Sequence, residues 1–227
     1  MSRPAWPGTC AVCRSWCRGR LCAPCASRFA QPRSRCAGCA LPVTAGALRC
    51  GACLREPPPF DAAVAAVDYD YPWDGLLARL KFDAALDLAP AIASRLRDAV
   101  EAAGEAPPDL VLPVPLSSPR LRERGFNQAW EIARRLPWRA RADVLLRVKD
   151  TPHQIALPRA QRVANVRDAF LVEPRRAALL RDADVALVDD VLTTGATAAE
   201  LARTVRRAGA RRVRVWVVAR TPAPDGA

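Results

Sequence analysis

Asp189 and Asp190 close the short apolar run Val185-Ala186-Leu187-Val188 and are followed by Val191-Leu192-Thr193-Thr194-Gly195-Ala196-Thr197. Carboxylates accept hydrogen bonds from ribose hydroxyls, and the N–H groups of a helix start cradle a phosphate. The combination is therefore chemistry for a sugar phosphate. A second set of reactive side chains lies at the other end of the chain, where Cys10-x-x-Cys13, Cys22-x-x-Cys25, Cys36-x-x-Cys39 and Cys50-x-x-Cys53 form four pairs. Thiolates two residues apart can hold adjacent corners of a tetrahedral zinc, so four pairs can make two four-cysteine sites.

Each set demands a particular local structure. The run before the acids reads as a buried parallel-type strand, and Ala198-Ala199-Glu200-Leu201-Ala202-Arg203-Thr204-Val205 is helix-forming. The helix therefore starts inside the motif, with Thr193, Thr194 and Thr197 supplying hydroxyls and Gly195 a permissive backbone. In an extended strand neighbouring side chains point to opposite faces, so the chain must already be turning at Asp189-Asp190 if both are to grip one sugar. A D-x-x-T alone would be an ordinary helix cap. The doublet of acids, the doublet of threonines and the glycine together point to a ligand.

The cysteines are assigned as Cys10, Cys13, Cys22 and Cys25 on one metal and Cys36, Cys39, Cys50 and Cys53 on the other, though the spacing also permits interleaved pairing. A disulfide framework would need an oxidising compartment. No apolar secretory segment precedes Cys10, so zinc and a cytoplasmic location are expected. Closed all-thiolate sites are structural, and a segment too small for its own core takes its folding energy from the metal. Cys17 is left over as a bystander thiol.

The 227 residues suit one small and one ordinary domain, and Pro57-Pro58-Pro59 marks the expected boundary between a double zinc ribbon at 1–58 and a larger domain at 59–227. No stretch is long and apolar enough to span a membrane. The formal charge is +12, and eight zinc-bound thiolates (−8) with two Zn²⁺ (+4) would bring it to +8, still compatible with weak DNA binding. Arginine-rich, alanine-rich composition makes Arg206-Arg207 and Arg211-Arg212 read as solvated surface.

Strand-like and helix-like segments alternate: strands at Ala63–Tyr69, Asp109–Pro115 and Val213–Val218, helices at Leu86–Val100 and Asn127–Leu136. This predicts an α/β fold with a mostly parallel sheet, whose ligands bind beyond the carboxyl ends of the strands. Pro115, Ser117 and Ser118 follow such a strand end, and their backbone and hydroxyls could meet a phosphate. Arg120, Arg122 and Arg124 are expected in a basic loop that closes over the ligand, with Arg124 the strongest candidate. Lys81, one of only two lysines, is a further phosphate candidate. His153, the only histidine, reads as a loop residue rather than a general base.

The segment Val188 to Thr197 resembles the phosphoribosyl pyrophosphate (PRPP) loop of type I phosphoribosyltransferases. Arg124-Gly125-Phe126-Asn127-Gln128 after Pro113-Val114-Pro115-Leu116 is similar to the R-G-F-N-Q signature of the ComF/GntX family, as is the spaced pattern Thr151…Gln154…Leu157…Arg162…Asn165-Val166…Ala169-Phe170. With the cysteine ribbon in front, the resemblance covers nearly the whole chain in order. It implies a type I phosphoribosyltransferase domain behind a zinc ribbon, linked to competence and DNA uptake. It further implies that Asp189 and Asp190 hold the ribose, that Thr193, Thr194, Gly195, Ala196 and Thr197 wrap the 5′-phosphate, and that Mg²⁺ neutralises the departing pyrophosphate. The competing expectation is a non-catalytic PRPP sensor, or a factor that binds single-stranded DNA or competence proteins.

Overall fold

The computed structural model describes residues 7–149 and 166–222. The pattern from Thr151 to Asn165, His153 included, lies outside the described residues.

The centre is a four-stranded sheet built from β3 (Ala62–Asp68), β4 (Leu110–Pro113), β7 (Asp184–Leu192) and β8 (Arg212–Arg220). Its order is β3-β8-β7-β4, and every neighbouring pair is parallel. Strands covered on both faces read as continuous apolar runs, and these do. Along β7, Val185 and Leu187 enter one layer of core while Ala186 and Val188 enter the other. The first layer is completed by α7 (Ala196–Arg207), through Leu201, Ala202 and Val205, and by the antiparallel pair β5 (Leu145–Arg147) and β6 (Phe170–Val172). The second is completed by α3 (Trp73–Phe82), α4 (Ala89–Ala102) and α6 (Gln128–Ala133). Helices on both faces of a parallel sheet make this the expected α/β architecture.

Four cysteine pairs precede it on short elements: the hairpin β1 (Pro7–Thr9) and β2 (Trp16–Arg18), then α1 (Ala23–Phe29) and α2 (Gly51–Arg55). This ribbon is fastened to the sheet layer. Trp73 Nε1 donates to Phe29 O (2.6 Å), Ala63 N donates to Ala37 O (2.8 Å), Arg20 pairs with Asp87 (2.9 Å), and Arg33 and Arg35 each reach Asp68 at 2.8 Å. Ala40 is fully buried in the core layer of β7 and α7.

Two expectations need correction. Strand β7 does not end or turn at the acids but runs through both of them to Leu192, because its ladder with β8 continues to the Leu192–Arg220 pair. Asp189 and Asp190 nevertheless keep their carboxyl groups in contact, through a side-chain hydrogen bond between them. The segment carrying Arg120, Arg122 and Arg124 is not a loop but α5 (Ser118–Arg124), ended by Gly125 in the left-handed region at φ +80°.

Candidate functional site

The turn between β7 and α7 is made by Gly195, also at φ +80°, which lets the chain reverse from strand into helix within a few residues. The first intrahelical bond runs from Ala199 N to Gly195 O (2.8 Å), so the N–H groups ahead of it belong to the turn. That of Ala196 is shared with Thr194 Oγ1 at 3.4 Å. Asp189, half-buried, lines a recess with Thr193, Gly195, Ala196 and Thr197 over a floor of Leu187, Val215 and Val217. One carboxylate thus faces the amide-rich turn.

Asp190, next to Asp189, is 4 % exposed. Lys81 Nζ, at the end of α3, pairs with its Oδ2 at 2.5 Å, and Gln128 Nε2 approaches its Oδ1 at 3.5 Å. Arg124 Nη1 in turn donates to Gln128 Oε1 (2.5 Å), and its guanidinium lies over the exposed ring of Phe82. Asn127 makes this relay possible. Its Oδ1 caps α6 by accepting from Ala129 N and Trp130 N, while its Nδ2 holds Val114 O at 3.0 Å. The R-G-F-N-Q segment is therefore a corner: Gly125 ends one helix, Asn127 starts the next, and Arg124 and Gln128 face the acid pair.

The two acids differ electrostatically. Burial, together with the adjacent charge of Asp190, pushes the Asp189 carboxyl well above the usual range. Burial also works against a charge on Asp190, but the Lys81 ammonium outweighs it and holds that carboxyl below its ordinary value. Lys81 is raised in return, its own burial being overcome by Asp190.

The thiols gather as the sequence assigns them, Cys10, Cys13, Cys22 and Cys25 in one group and Cys36, Cys39, Cys50 and Cys53 in the other, with all Sγ atoms of a group within 4.8 Å. Cys13 Sγ and Cys22 Sγ are 3.7 Å apart and Cys39 Sγ and Cys50 Sγ 3.6 Å. A disulfide would need about 2.05 Å, whereas tetrahedral zinc with Zn–S near 2.3 Å separates its sulfurs by about 3.8 Å. Burial opposes ionisation of Cys10 and Cys36, yet backbone N–H groups, those of Cys22 and Cys50 foremost, bring them down to about 6 and about 7. Burial and the neighbouring sulfurs push Cys25 up to about 12 and Cys39 up to about 11. Four thiolates at this range need a cation, and both groups could hold zinc.

Curated relatives match this chain over nearly its whole length. The DNA utilization protein YhgH of Salmonella typhimurium is 36 % identical over 226 residues, covering 95 % of this chain and 98 % of the relative. That of Escherichia coli K12 is 33 % identical over 229 residues, with the same coverage. Competence protein F of Haemophilus influenzae is 32 % identical over 220 residues, covering 90 % and 95 %. This chain belongs to the ComF/GntX family.

No protein-family model matches this ComF-family chain. Among solved structures it is similar to an allosteric regulatory enzyme of purine biosynthesis, at 19 % identity and a TM-score of 0.36 over 57 % of this chain and 25 % of that one. It is also similar to TT1426 from Thermus thermophilus, at 23 % and 0.33 over 61 % and 85 %. At such scores the fold rests on the sheet order and register themselves.

The remaining sequence candidates of the ComF-family chain distribute unevenly. Lys81 and Arg124 join the acid pair, Arg124 through Gln128. Pro115 and Ser117 are buried on the loop between β4 and α5 that Asn127 tethers. Arg120 and Arg122 sit on α5, where the charge of Arg120 acts on Arg124. Two participants escape the sequence reading. Gln128 sits inside the R-G-F-N-Q motif with no role that the motif itself assigns, and Arg220 is signalled only as a charge closing an apolar strand.

Proposed function

We propose that this ComF-family protein binds PRPP with Mg²⁺ at the β7–α7 junction and is a phosphoribosyltransferase-like factor in cytoplasmic DNA utilisation. The observation that carries the reading is the acid pair, with an amide- and hydroxyl-rich turn beside Asp189 and the cations Lys81 and, through Gln128, Arg124 beside Asp190. PRPP has the same polarity, a 5′-phosphate at one end of a ribose and a pyrophosphate at the other. Thr193 through Thr197 would take the phosphate and Asp189 the ribose hydroxyls. Asp190 would hold Lys81 and Gln128, and through Gln128 also Arg124, oriented toward the pyrophosphate. Mg²⁺, a hard cation for carboxylate and phosphate oxygens, would neutralise the charge that pyrophosphate gains as it leaves. The names of the relatives support the DNA context.

The test follows pyrophosphate release from Mg²⁺ and PRPP with a panel of nucleobases and DNA. Release that is abolished when Asp189→Asn and Asp190→Asn are combined supports a transferase. PRPP that neither binds nor raises the melting temperature overturns the site. A second reading, single-stranded DNA binding with PRPP as a sensed ligand, is favoured by one observation: residues 1–58 carry nine arginines against one acid, and Trp16 is 80 % exposed among them. PRPP binding without turnover, accompanied by DNA binding that falls steeply with salt, selects that reading.

A further inference from the structure

Arg220, the last residue of β8, is 6 % exposed and joins the cysteine ribbon to the β7–α7 turn. Its Nε donates to Cys39 O (2.9 Å), the carbonyl of a thiol-bearing residue in the second four-cysteine group. Its Nη1 donates to Leu192 O (2.9 Å) and Thr193 O (2.6 Å), at the mouth of the turn that precedes α7. A peptide unit is planar and trans, so holding the oxygens of Leu192 and Thr193 toward Arg220 aims the N–H groups of Thr193 and Thr194 to the opposite side. The guanidinium thus shares the first of these peptides with Thr221 N, which also donates to Leu192 O (3.2 Å), and orients the second through Thr193 O.

The Cys39 end of this bridge belongs to the second group and not to the first. Ala40, next to Cys39, is fully buried and held at φ +57°, its N–H bonded to Cys36 O (2.8 Å) and its carbonyl to Arg35 (3.1 Å). The first group is attached elsewhere, through Arg20 to Asp87 and through Phe29 O to Trp73 on α3. Metal at the second group would lock the Cys36–Ala40 knuckle. Without it the Cys39 carbonyl loses the chelate ring that holds it, and Arg220 loses its fixed acceptor.

We propose that Arg220 couples metal occupancy of Cys36, Cys39, Cys50 and Cys53 to the phosphate-binding competence of the Thr193–Thr197 turn, so that the second zinc is a positioning element of the ligand site. The coupling rests on the reading of that turn as the PRPP phosphate site. Because coupling between two binding equilibria is reciprocal, Mg²⁺–PRPP must tighten zinc at the second group by the factor by which that zinc tightens PRPP, about ten-fold for a coupling of ordinary size.

The test uses the full-length zinc-loaded protein, with equilibrium competition for zinc against a chromophoric chelator, with and without Mg²⁺–PRPP, and amide hydrogen exchange at residues 192–197 without ligand. In the wild type, PRPP should protect one of the two zincs about ten-fold and leave the other unchanged. Arg220→Lys keeps the charge but cannot span both carbonyl sets, so it should still load two zincs, exchange faster at residues 192–197, and show no PRPP-dependent protection. Asp87→Asn, which loosens only the first group's attachment, should behave as the wild type. Equal protection of both zincs, persistent protection in Arg220→Lys, or unchanged exchange at the turn each overturns the coupling. Should Arg220→Lys not fold, wild-type protein stripped of both zincs by the chelator gives the same exchange comparison, and unaltered exchange at residues 192–197 there is equally fatal. Failure of the wild type to bind PRPP at all is a different result and removes the site reading instead.

Discussion

Lys81 and Asp190 form an ion pair whose members depend on each other. Asp190 is 4 % exposed, so removing its cation leaves a nearly buried carboxylate uncompensated. Lys81→Met is expected to cost about 3 kcal/mol in denaturant unfolding, and adding Asp190→Asn should restore most of it because the orphaned charge is gone. A Lys81→Met protein as stable as wild type would show the pair to be solvated. Neighbouring Asp189 gives an opposite pH signature. Its folded pKa lies above that of the unfolded chain, so as pH rises from the unfolded value through the folded one the native state keeps a proton the unfolded state has lost, and stability falls. For Asp190 the folded pKa is depressed, so its contribution is complete above the unfolded value and is lost as pH falls through the folded one. Asp189→Asn should thus raise the neutral-pH melting temperature and flatten its decline above about pH 4, while the acid-side loss governed by Asp190 remains. A melting curve whose pH slope survives the substitution would assign the slope to another group.

At the scale of elements the α5–α6 corner is the most sensitive joint. Asn127→Ala removes both the cap of α6 and the tether to Val114 O, and should cost about 1–2 kcal/mol while weakening ligand binding through the displaced 113–117 loop. Gly125→Ala meets no atom within 4 Å, so its expected cost, about 1–2 kcal/mol, is that of the left-handed backbone alone. Measured losses confined to α6 without any effect on ligand affinity would separate the cap from the tether. This corner also shows what the sequence could disclose. Strands β3, β4 and β8 and helices α4 and α6 were legible because each has an apolar face to bury. Helix α5 was not, since Ser118-Pro119-Arg120-Leu121-Arg122-Glu123-Arg124 buries no residue and leaves no periodic trace. The true length of β7 was hidden because two adjacent acids read as a strand end, whereas pairing with β8 as far as Arg220 keeps the chain extended past them. The acid pair and the cysteines were legible because their chemistry is local in sequence. Gln128 and Arg220 act across 62 and 181 residues, to Asp190 and Cys39, and no local pattern records such partners.

For the whole molecule the question is whether the ribbon is an appendage or part of the folded unit. A segment of this size has no sufficient core of its own, so metal held by its two four-cysteine groups would supply its folding energy, and chelation should unfold it first. It does not unfold into isolation, however. Ala40 fills part of the central core, Ala63 N in edge strand β3 takes Ala37 O as acceptor, and Trp73 Nε1 and Arg220 both direct donors at ribbon carbonyls. Once the ribbon opens, these largely buried donors lose partners and water must reach them, at about 1 kcal/mol or more for each. The sheet layer should therefore persist after zinc removal, keeping its far-ultraviolet signal, but melt at least about 5 °C lower than the loaded protein. Re-addition of zinc should restore the original transition. A chelated protein in which ribbon amides exchange freely while the sheet melts at the loaded temperature would establish the opposite, two independently stable parts joined only by the Pro57-Pro58-Pro59 linker.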